Sequence, residues 1–450
     1  MADSAKKKPF HEPPIQSRHW AYDLAVQLVR SAVTRFHRIQ GIDGIEHITD
    51  AKTPTIVVAN HQNGLMDPLV LVSLINNSQV HWLTRADIFY KKITRTILFA
   101  FNQMPIFRQR DRISDARERN TRIFEICAER LRIGGRMGLF PEGNHRAMKS
   151  LRPMRRGISD MVNASIKLDP NMRQLQILPV GIDYEEMPNF RRRLRYRIGE
   201  PIKVDALINP KTNEVDPGNL LTPLSAAMDQ ILVNIQPEAA YDILLPYVQA
   251  MRTSECEDWA STKETLNRFQ SLDEPAITSI QEALQRAESA GVLEKARAED
   301  LGMSHESLRD VPGWLWLLAP FAVVGGLASF PLAKWIESKA RQRVKDPCFV
   351  STFKATTGMV LFPIYWILIS LPTAFFTVGS ITLSAVLGSY LFHLLGSRIA
   401  GWWYGYYLDS VGRRKAAQVW NDQIMRQSWK SYLSAVDEAI APLKSSLRNR

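Results

Sequence analysis

Charged residues vanish from the chain twice, over 311–333 and again over the 43 residues of 355–397. About 20 apolar helical residues cross a hydrocarbon core, so the longer run reads as a membrane hairpin turning near Gly379 and Ser380. The shorter run holds Pro320, Gly325, Gly326 and Pro331, which reads as a broken, re-entrant segment or a single span. Ahead of both runs the pattern changes. Short apolar, β-branched runs at 55–59, 80–84, 136–140, 175–180 and 193–198 alternate with helix-patterned segments at 68–76, 87–101, 117–133 and 155–166. Strands alternating with helices predict a mostly parallel sheet flanked by helices.

Around that core, 20–36 sets Leu24, Leu28 and Ala32, and Val29, Val33 and Phe36, at helical spacing. This is the pattern of an amphipathic helix lying on a membrane or on the domain surface. From 217 to 310 the chain is rich in Glu, Gln, Ala, Leu and Arg and carries no metal or nucleotide motif, the character of a helical insert. From Val411 onward it reads as a polar helix anchored by Trp420, Trp429 and Tyr432. The expected organisation is a basic tail and amphipathic helix (1–36), an α/β domain (37–210), a helical insert (211–310), a membrane region (311–408) and a C-terminal amphipathic helix (409–450).

Charge adds a direction. Across 450 residues, Lys+Arg 57 against Asp+Glu 45 leaves +12, which suits anionic lipid, a phosphorylated substrate or nucleic acid. No nucleic-acid recognition motif is visible, and basic loops beside the apolar runs account for much of the excess. The loop 334–354 (Lys334, Lys339, Arg341, Arg343, Lys345, Lys354) and the segment with Arg398, Arg413, Arg414 and Lys415 both belong in the cytoplasm by the positive-inside tendency. That predicts an integral membrane protein with its polar domain on the cytoplasmic face. Residues 1–14 are polar, with Lys6, Lys7 and Lys8, unlike a signal peptide. Cys127, Cys256 and Cys348 are too few and too scattered for a disulfide scaffold or a Cys-only zinc site.

Chemistry concentrates where the strand-like runs end. After the first comes Asn60-His61-Gln62-Asn63-Gly64-Leu65-Met66-Asp67-Pro68. A histidine here stands at the carboxyl end of a parallel strand, the edge where open α/β sheets bind ligands. Asp67 is close enough to turn back onto it, fix its tautomer and leave the other nitrogen to take a proton from a hydroxyl. Taken alone, Asp67-Pro68 equally fits a helix N-cap and first-turn proline. Met104-Pro105-Ile106-Phe107-Arg108-Gln109-Arg110 places forked donors behind an apolar pair, fit for a phosphate or for solvent. Phe140-Pro141-Glu142-Gly143-Asn144-His145-Arg146 leaves another strand by a glycine turn, with Glu142 able to accept from hydroxyls. Ile177-Leu178-Pro179-Val180-Gly181 reads as buried architecture. Arg193, Arg195 and Arg197 alternate with apolar residues, so a strand sets three guanidiniums on one face, towards lipid headgroups, coenzyme A phosphates or solvent.

In order and spacing these four segments resemble the four motifs of the glycerophospholipid acyltransferase family, over about residues 40–205. His61 and Asp67 match the family's His and Asp, Phe107 and Arg110 its second motif, and Phe140-Pro141-Glu142-Gly143 its third. Leu178-Pro179-Val180 matches the fourth. Five residues separate His61 from Asp67 where the family pattern usually has four, which resembles the branch of glycerol-3-phosphate acyltransferases found in fungi and some bacteria. Met104 stands where the second motif usually has Gly, and Asn144-His145-Arg146 replaces the usual Thr-Arg, displacing Arg146 by one.

The resemblance implies an α/β acyltransferase domain, with the helical insert and C-terminal transmembrane helices as additions to it. It implies a membrane-bound O-acyltransferase of phospholipid biosynthesis, in which His61 is the general base on the acceptor hydroxyl and Asp67 orients it. Arg110 and Glu142 would hold the glycerol phosphate beside Phe107 and the Gly143 turn, with Arg146, Arg155 and Arg156 as further phosphate contacts. The implied acceptor is glycerol 3-phosphate, with 1-acylglycerol 3-phosphate (lysophosphatidate) as the alternative. The donor is acyl-CoA or acyl carrier protein, and no bound cofactor, metal or nucleic acid is expected. Two rivals stand beside this reading. One is a metal-dependent hydrolase using His61, Asp67 and His145, although no HExxH or close His pair exists. The other is a catalytically silent lipid-binding scaffold, against which stand the intact His61, Asp67 and Glu142.

Overall fold

A computed structural model describes residues 10–48, 52–75, 78–108, 111, 113–252, 258–302, 313–379 and 381–441. It divides the chain into two compact units, Met1–Leu232 with Trp335–Leu361, and Val233–Lys334 with Phe362–Arg450.

Among the described residues the first unit is built on a sheet of eight strands. In chain order these are β1 (Arg38–Asp43), β2 (Thr55–Ala59), β3 (Val80–Arg85), β4 (Gln103–Ile106), β5 (Arg136–Leu139), β6 (Gln176–Tyr184), β7 (Arg193–Ile198) and the short β8 (Ile202–Lys203). They lie in the order β1-β7-β6-β2-β5-β3-β4, with β8 paired to β6. From β6 through β2, β5 and β3 to β4 every pair is parallel. β7 and the short β8 are antiparallel to β6, and β1, parallel to β7, shares their direction. A separate ribbon pairs β9 (Ile208–Asn209) with β10 (Glu214–Val215).

Helices cover both faces: α1 (Trp20–Phe36), α2 (Met66–Leu74), α3 (Lys92–Ala100), α4 (Ala116–Arg132), α5 (Gly157–Leu168) and α6 (Pro217–Ile231). Every residue of β2 is buried. Its side chains alternate, Val57 and Ala59 entering one core with residues of α1 and α2, Ile56 and Val58 entering the other with residues of α4, α5 and α6. A strand covered on both faces reads as an unbroken apolar run. The expected mostly parallel α/β sheet is therefore what forms.

Local expectations fared unevenly. The helix pattern over 87–101 splits into a tight turn, Ala86–Phe89, and α3. Helix α1 buries Tyr22, Val29, Val33 and Phe36 in the core, so it sits on the domain surface, with Trp20, Leu24 and Leu28 exposed outside. The arginine face of β7 is not a free docking surface. Arg197 is buried and ion-pairs with Asp183 and Asp43, and neighbouring Arg192 pairs with Glu185 and Glu186. Antiparallel pairing causes this, because it sets the acidic end of β6 beside these arginines.

The second unit is helical. It contains α7 (Tyr241–Met251), α8 (Trp259–Phe269), α9 (Glu274–Ser289), α10 (Val292–Lys295), α11 (Ala298–Leu301) and α12 (Gly313–Leu317). Then come α13 (Ala319–Arg343), α14 (Val350–Val378), α15 (Leu383–Asn421) and α16 (Gln423–Ile440), of which α13 and α14 contribute to both units. Among the described residues three segments, Ala319–Arg343, Pro347–Val378 and Leu383–Asn421, are long and apolar enough to cross a membrane. The chain is membrane-associated on that ground.

The predicted break within 311–333 does not occur at its glycines or Pro331. The interruption falls at Leu318, and α13 then runs unbroken through Pro331. Beside that proline the Ala328 carbonyl accepts from the Tyr365 hydroxyl at 2.8 Å. A Cβ on Gly325 would lie 2.1 Å from the carbonyl carbon of Gly396, so these glycines let α13 and α15 cross backbone against backbone. The aromatic anchors of α16 also turn inward. Trp429 and Tyr432 are fully buried, and Tyr432 donates to the Ile243 carbonyl at 2.6 Å while accepting from the Tyr247 N–H at 3.0 Å.

Two histidines in the first unit are buried neutral. Burial, and then the Arg191 charge, push His37 down to about 3; burial and Arg130 do the same to His81. Unfolded histidine takes a proton near its usual value of about 6.5, so the unfolded chain binds more protons below that pH. Their contribution is therefore complete above about pH 6.5 and is lost as pH falls towards 3. The melting midpoint is expected to drop between pH 6.5 and 5, each histidine accounting for about 2 kcal/mol over that interval. Thermal unfolding of His37→Asn at both pH values should show a smaller drop; an equal drop refutes the assignment.

Candidate active site

The carboxyl ends of β2, β5 and β6 lie side by side in the sheet. Where β2 stops, the Asn60 side chain clamps β6, accepting from the Ile182 N–H at 2.8 Å and donating to its carbonyl at 2.9 Å. The chain then turns at Gly64, whose φ of 47° is in the left-handed region that glycine tolerates. Helix α2 starts at Met66, so Asp67 stands within its first turn rather than at the N-cap, which is Leu65. From there the Asp67 carboxylate reaches back over its own loop.

Asp67 is fully buried and accepts four hydrogen bonds. Its Oδ2 takes His61 Nδ1 and the Gln62 and Asn63 N–H groups, each at 2.8 Å, and its Oδ1 takes the Tyr184 hydroxyl at 2.8 Å. A carboxylate only accepts, so the proton lies on Nδ1, and in the neutral ring the lone pair is on Nε2. Burial and the Asp67 charge hold the Tyr184 phenol well above its ordinary range, so it remains an O–H donor. The His61 side chain is 16% exposed, enough for one ring edge to meet a substrate. Its plane is set by stacking on Phe140 at 4.2 Å, and Phe140 stacks on Trp82 at 5.5 Å. Gly138 makes room for that indole, since a Cβ there would come within 2.5 Å of it.

The loop after β5 adds cations. Glu142 is buried and ion-paired with Arg152. Burial raises its pKa above the usual carboxylate value, opposed by Arg152 and His61. Arg152 also donates to Asn144 Oδ1 at 2.6 Å and to the His61 carbonyl at 3.3 Å. The Arg146 N–H donates to that same carbonyl at 3.1 Å. The Arg155 side chain crosses Gly143 so closely that a Cβ would meet its Nε at 2.5 Å, and φ of 77° already favours glycine there. A proton acceptor, a fixed tautomer and a group of guanidiniums thus meet at one sheet edge.

Residues 38–183 match the family model named Acyltransferase. That match makes residues 38–183 an acyltransferase domain. Two Saccharomyces cerevisiae (strain ATCC 204508 / S288c) proteins are similar to this chain. Glycerol-3-phosphate O-acyltransferase 2 is 30% identical over 134 residues, 30% of this chain and 18% of that protein. Glycerol-3-phosphate O-acyltransferase 1 is 26% identical over 116 residues, 25% of this chain and 15% of that protein. The chain thus spans less than a fifth of the length of either relative. The crystal structure of PlsC, a 1-acyl-sn-glycerophosphate (LPA) acyltransferase from Thermotoga maritima, matches with a TM-score of 0.33 and 17% identity, over 47% of this chain and 79% of that one.

Of the acyltransferase-motif residues, the structure brings together His61, Asp67, Glu142, Gly143, Arg146 and Arg155. Phe107 is packed elsewhere, its ring edge-on to Phe10 at 5.7 Å and under the Arg119 guanidinium, its backbone held by Asn120. It shapes the second-motif loop rather than facing His61. Arg110 lies outside the described residues. Arg156 is exposed and pairs with Asp160 one turn along α5. His145 is edge-on to His61 at 5.5 Å, but its Nε2 faces Asp346 at 3.1 Å. His61 Nδ1 and both Asp67 oxygens are taken by hydrogen bonds, so His61, Asp67 and His145 do not converge as metal ligands. His145, Asp346 and Cys348 do bring donor atoms within 4.8 Å of one another.

Two contributors were not legible as site residues: Tyr184 and Arg152. The buried run of β6 continues through Asp183 to Tyr184, four residues past the expected strand end, and that length carries the phenol to Asp67. Tyr184→Phe should fold but lose about 1.5–3 kcal/mol, the usual worth of a hydrogen bond to a charged group. Denaturation of the purified variant measures this, and an unchanged stability removes the phenol from the support of Asp67.

Proposed function

We propose that this protein is a membrane-associated O-acyltransferase that moves a fatty acyl group from an acyl thioester to the hydroxyl of glycerol 3-phosphate. The observation that carries the reading is the His61–Asp67 pair at the β2 edge, with Nε2 unpartnered among the described residues and the Arg152 guanidinium at the His61 carbonyl. His61 Nε2 removes the proton of the acceptor hydroxyl as its oxygen attacks the thioester carbonyl carbon. Asp67 holds the ring and stabilises the imidazolium. The tetrahedral adduct then collapses, the C–S bond breaks, and His61 returns the proton to the leaving thiolate. No covalent enzyme intermediate is needed.

Guanidiniums suit the acceptor phosphate because they offer forked donors to paired oxygens. Arg146, whose N–H meets the His61 carbonyl, and Arg155, which crosses the Gly143 turn, take this role with Arg110, whereas Glu142 fixes Arg152 instead of reaching for a glycerol hydroxyl. Arg156 is too exposed and too engaged with Asp160 to be a principal contact. The names of the two yeast relatives favour glycerol 3-phosphate over lysophosphatidate as acceptor. Acyl-CoA or acyl carrier protein serves as donor, and neither a bound cofactor nor a metal enters the reaction. The basic loop 334–354 favours a cytoplasmic position for the catalytic domain.

Membranes carrying the wild-type protein or His61→Ala, given acyl-CoA and labelled glycerol 3-phosphate or lysophosphatidate, test this directly. Wild type should acylate glycerol 3-phosphate, and His61→Ala should lower the rate by about 10²–10⁴-fold. Product from lysophosphatidate alone moves the assignment to the second acceptor; no His61-dependent product from any thioester donor overturns it. In the same assay Arg110→Ala should raise the acceptor KM with little change in kcat. A chelator should leave the rate unchanged, and clear inhibition revives a metal-dependent mechanism.

A further inference from the structure

We propose that Ser351, at the head of α14, is a positioning residue for the His61–Asp67 pair and acts through Asn63, an assignment that rests on the acyl-transfer reading above. The Asn63 N–H is one of the three donors on Asp67 Oδ2, so the orientation of the pair depends on where Asn63 sits. Its side chain does not turn to Asp67. Asn63 Oδ1 accepts from the Ser351 hydroxyl at 2.7 Å, and both residues are fully buried. The bond joins positions 288 residues apart in sequence, within the first unit.

The contact is built on both sides. A Cβ on Gly64 would lie 2.7 Å from the Cys348 carbonyl oxygen and 3.0 Å from the Phe349 ring, so residues 348 and 349 rest directly on the turn. Phe349 meets His145 edge-on at 5.0 Å, and His145 meets His61 in the same way at 5.5 Å. Asp346 accepts from the Cys348 N–H at 2.9 Å and faces His145 Nε2 at 3.1 Å. Further along, Lys354 donates to the Pro188 carbonyl at 2.8 Å, and Ala355 enters the same core as Val57 and Ala59. The head of α14 is thereby fixed to the domain before and after Ser351. A rigid brace of this kind holds the loop amides at hydrogen-bond distance from Asp67, which in turn keeps Nδ1 protonated and Nε2 aimed outward.

The test uses the full-length protein in proteoliposomes as wild type, Ser351→Ala, Asn63→Ala and the double variant. Two readouts are taken: kcat and KM for acyl transfer, and the rate at which diethyl pyrocarbonate modifies His61, followed by peptide mass spectrometry. Ser351→Ala should lower kcat about 10-fold, equivalent to about 1.4 kcal/mol, with both KM values within about twofold. His61 should be modified several-fold faster as the ring loosens. Asn63→Ala should do the same, and the double variant should be no worse than either single one, because the two residues act as a unit. A kcat and a His61 modification rate both unchanged in Ser351→Ala overturn the proposal, as do effects that multiply in the double variant. If Ser351→Ala does not fold, Asn63→Ala carries the same comparison. If wild type transfers no acyl group, the proposed function fails, while the His61 modification rates still decide whether Ser351 braces the ring.

Discussion

A carboxylate buried without compensation costs several kcal/mol, and Asp67 is fully buried. It is tolerable because four donors converge on it, and because it lies in the first turn of α2, where the helix dipole favours a negative charge. Those donors come from different parts of the chain. His61 and the amides of Gln62 and Asn63 belong to the loop that leaves β2, while the Tyr184 hydroxyl arrives from the end of β6. The anion is satisfied only when β2, β6 and α2 are all in register. Folding the domain and assembling the His61–Asp67 pair are therefore one physical problem.

Glu142 solves a similar problem in another way. It too is buried, yet its compensation is a cation, Arg152, whose other donors go to Asn144 and the His61 carbonyl. Arg146 reaches that same carbonyl through its backbone. The loops after β2 and β5 are thus stitched together at the backbone of the base itself. In the proposed reaction this leaves the base backed by a fixed anion, with the Arg152 guanidinium at its backbone carbonyl.

What could be read in advance follows from how far each signal reaches. The segment 55–59 was legible as a strand because both faces of β2 are covered, which makes every position apolar. His61 and Asp67 were legible as a pair because both ends of the hydrogen bond lie within one short loop. Tyr184 was not, since its partner is 117 positions away and nothing local distinguishes it from core. The same holds for Ser351 and for the burial of Arg197 against Asp183. Strand β1 and the reversal of β7 escaped because pairing direction is a tertiary fact, and no local pattern encodes it. Gly325 was misread as a helix breaker. Its missing side chain serves a helix crossing, and glycine looks alike in either role.

Helix α14 shows one element answering to two solvents. Its head is polar where Ser351 meets Asn63 and Lys354 meets Pro188, and these contacts lie within the acyltransferase unit. From Ala355 the charges stop, and farther along the same helix Val360, Ile364, Ile367 and Leu368 are each more than half exposed. Exposed apolar side chains at that density are stable only against lipid or another apolar surface. The composition switch at 354 and 355 thus marks where the helix stops belonging to the domain's hydrogen-bond network. It also accounts for the shape of the His61–Asp67 loop. A loop that must both wrap a carboxylate and receive a helix needs one residue whose side chain turns outward, which is Asn63, and one without a side chain, which is Gly64.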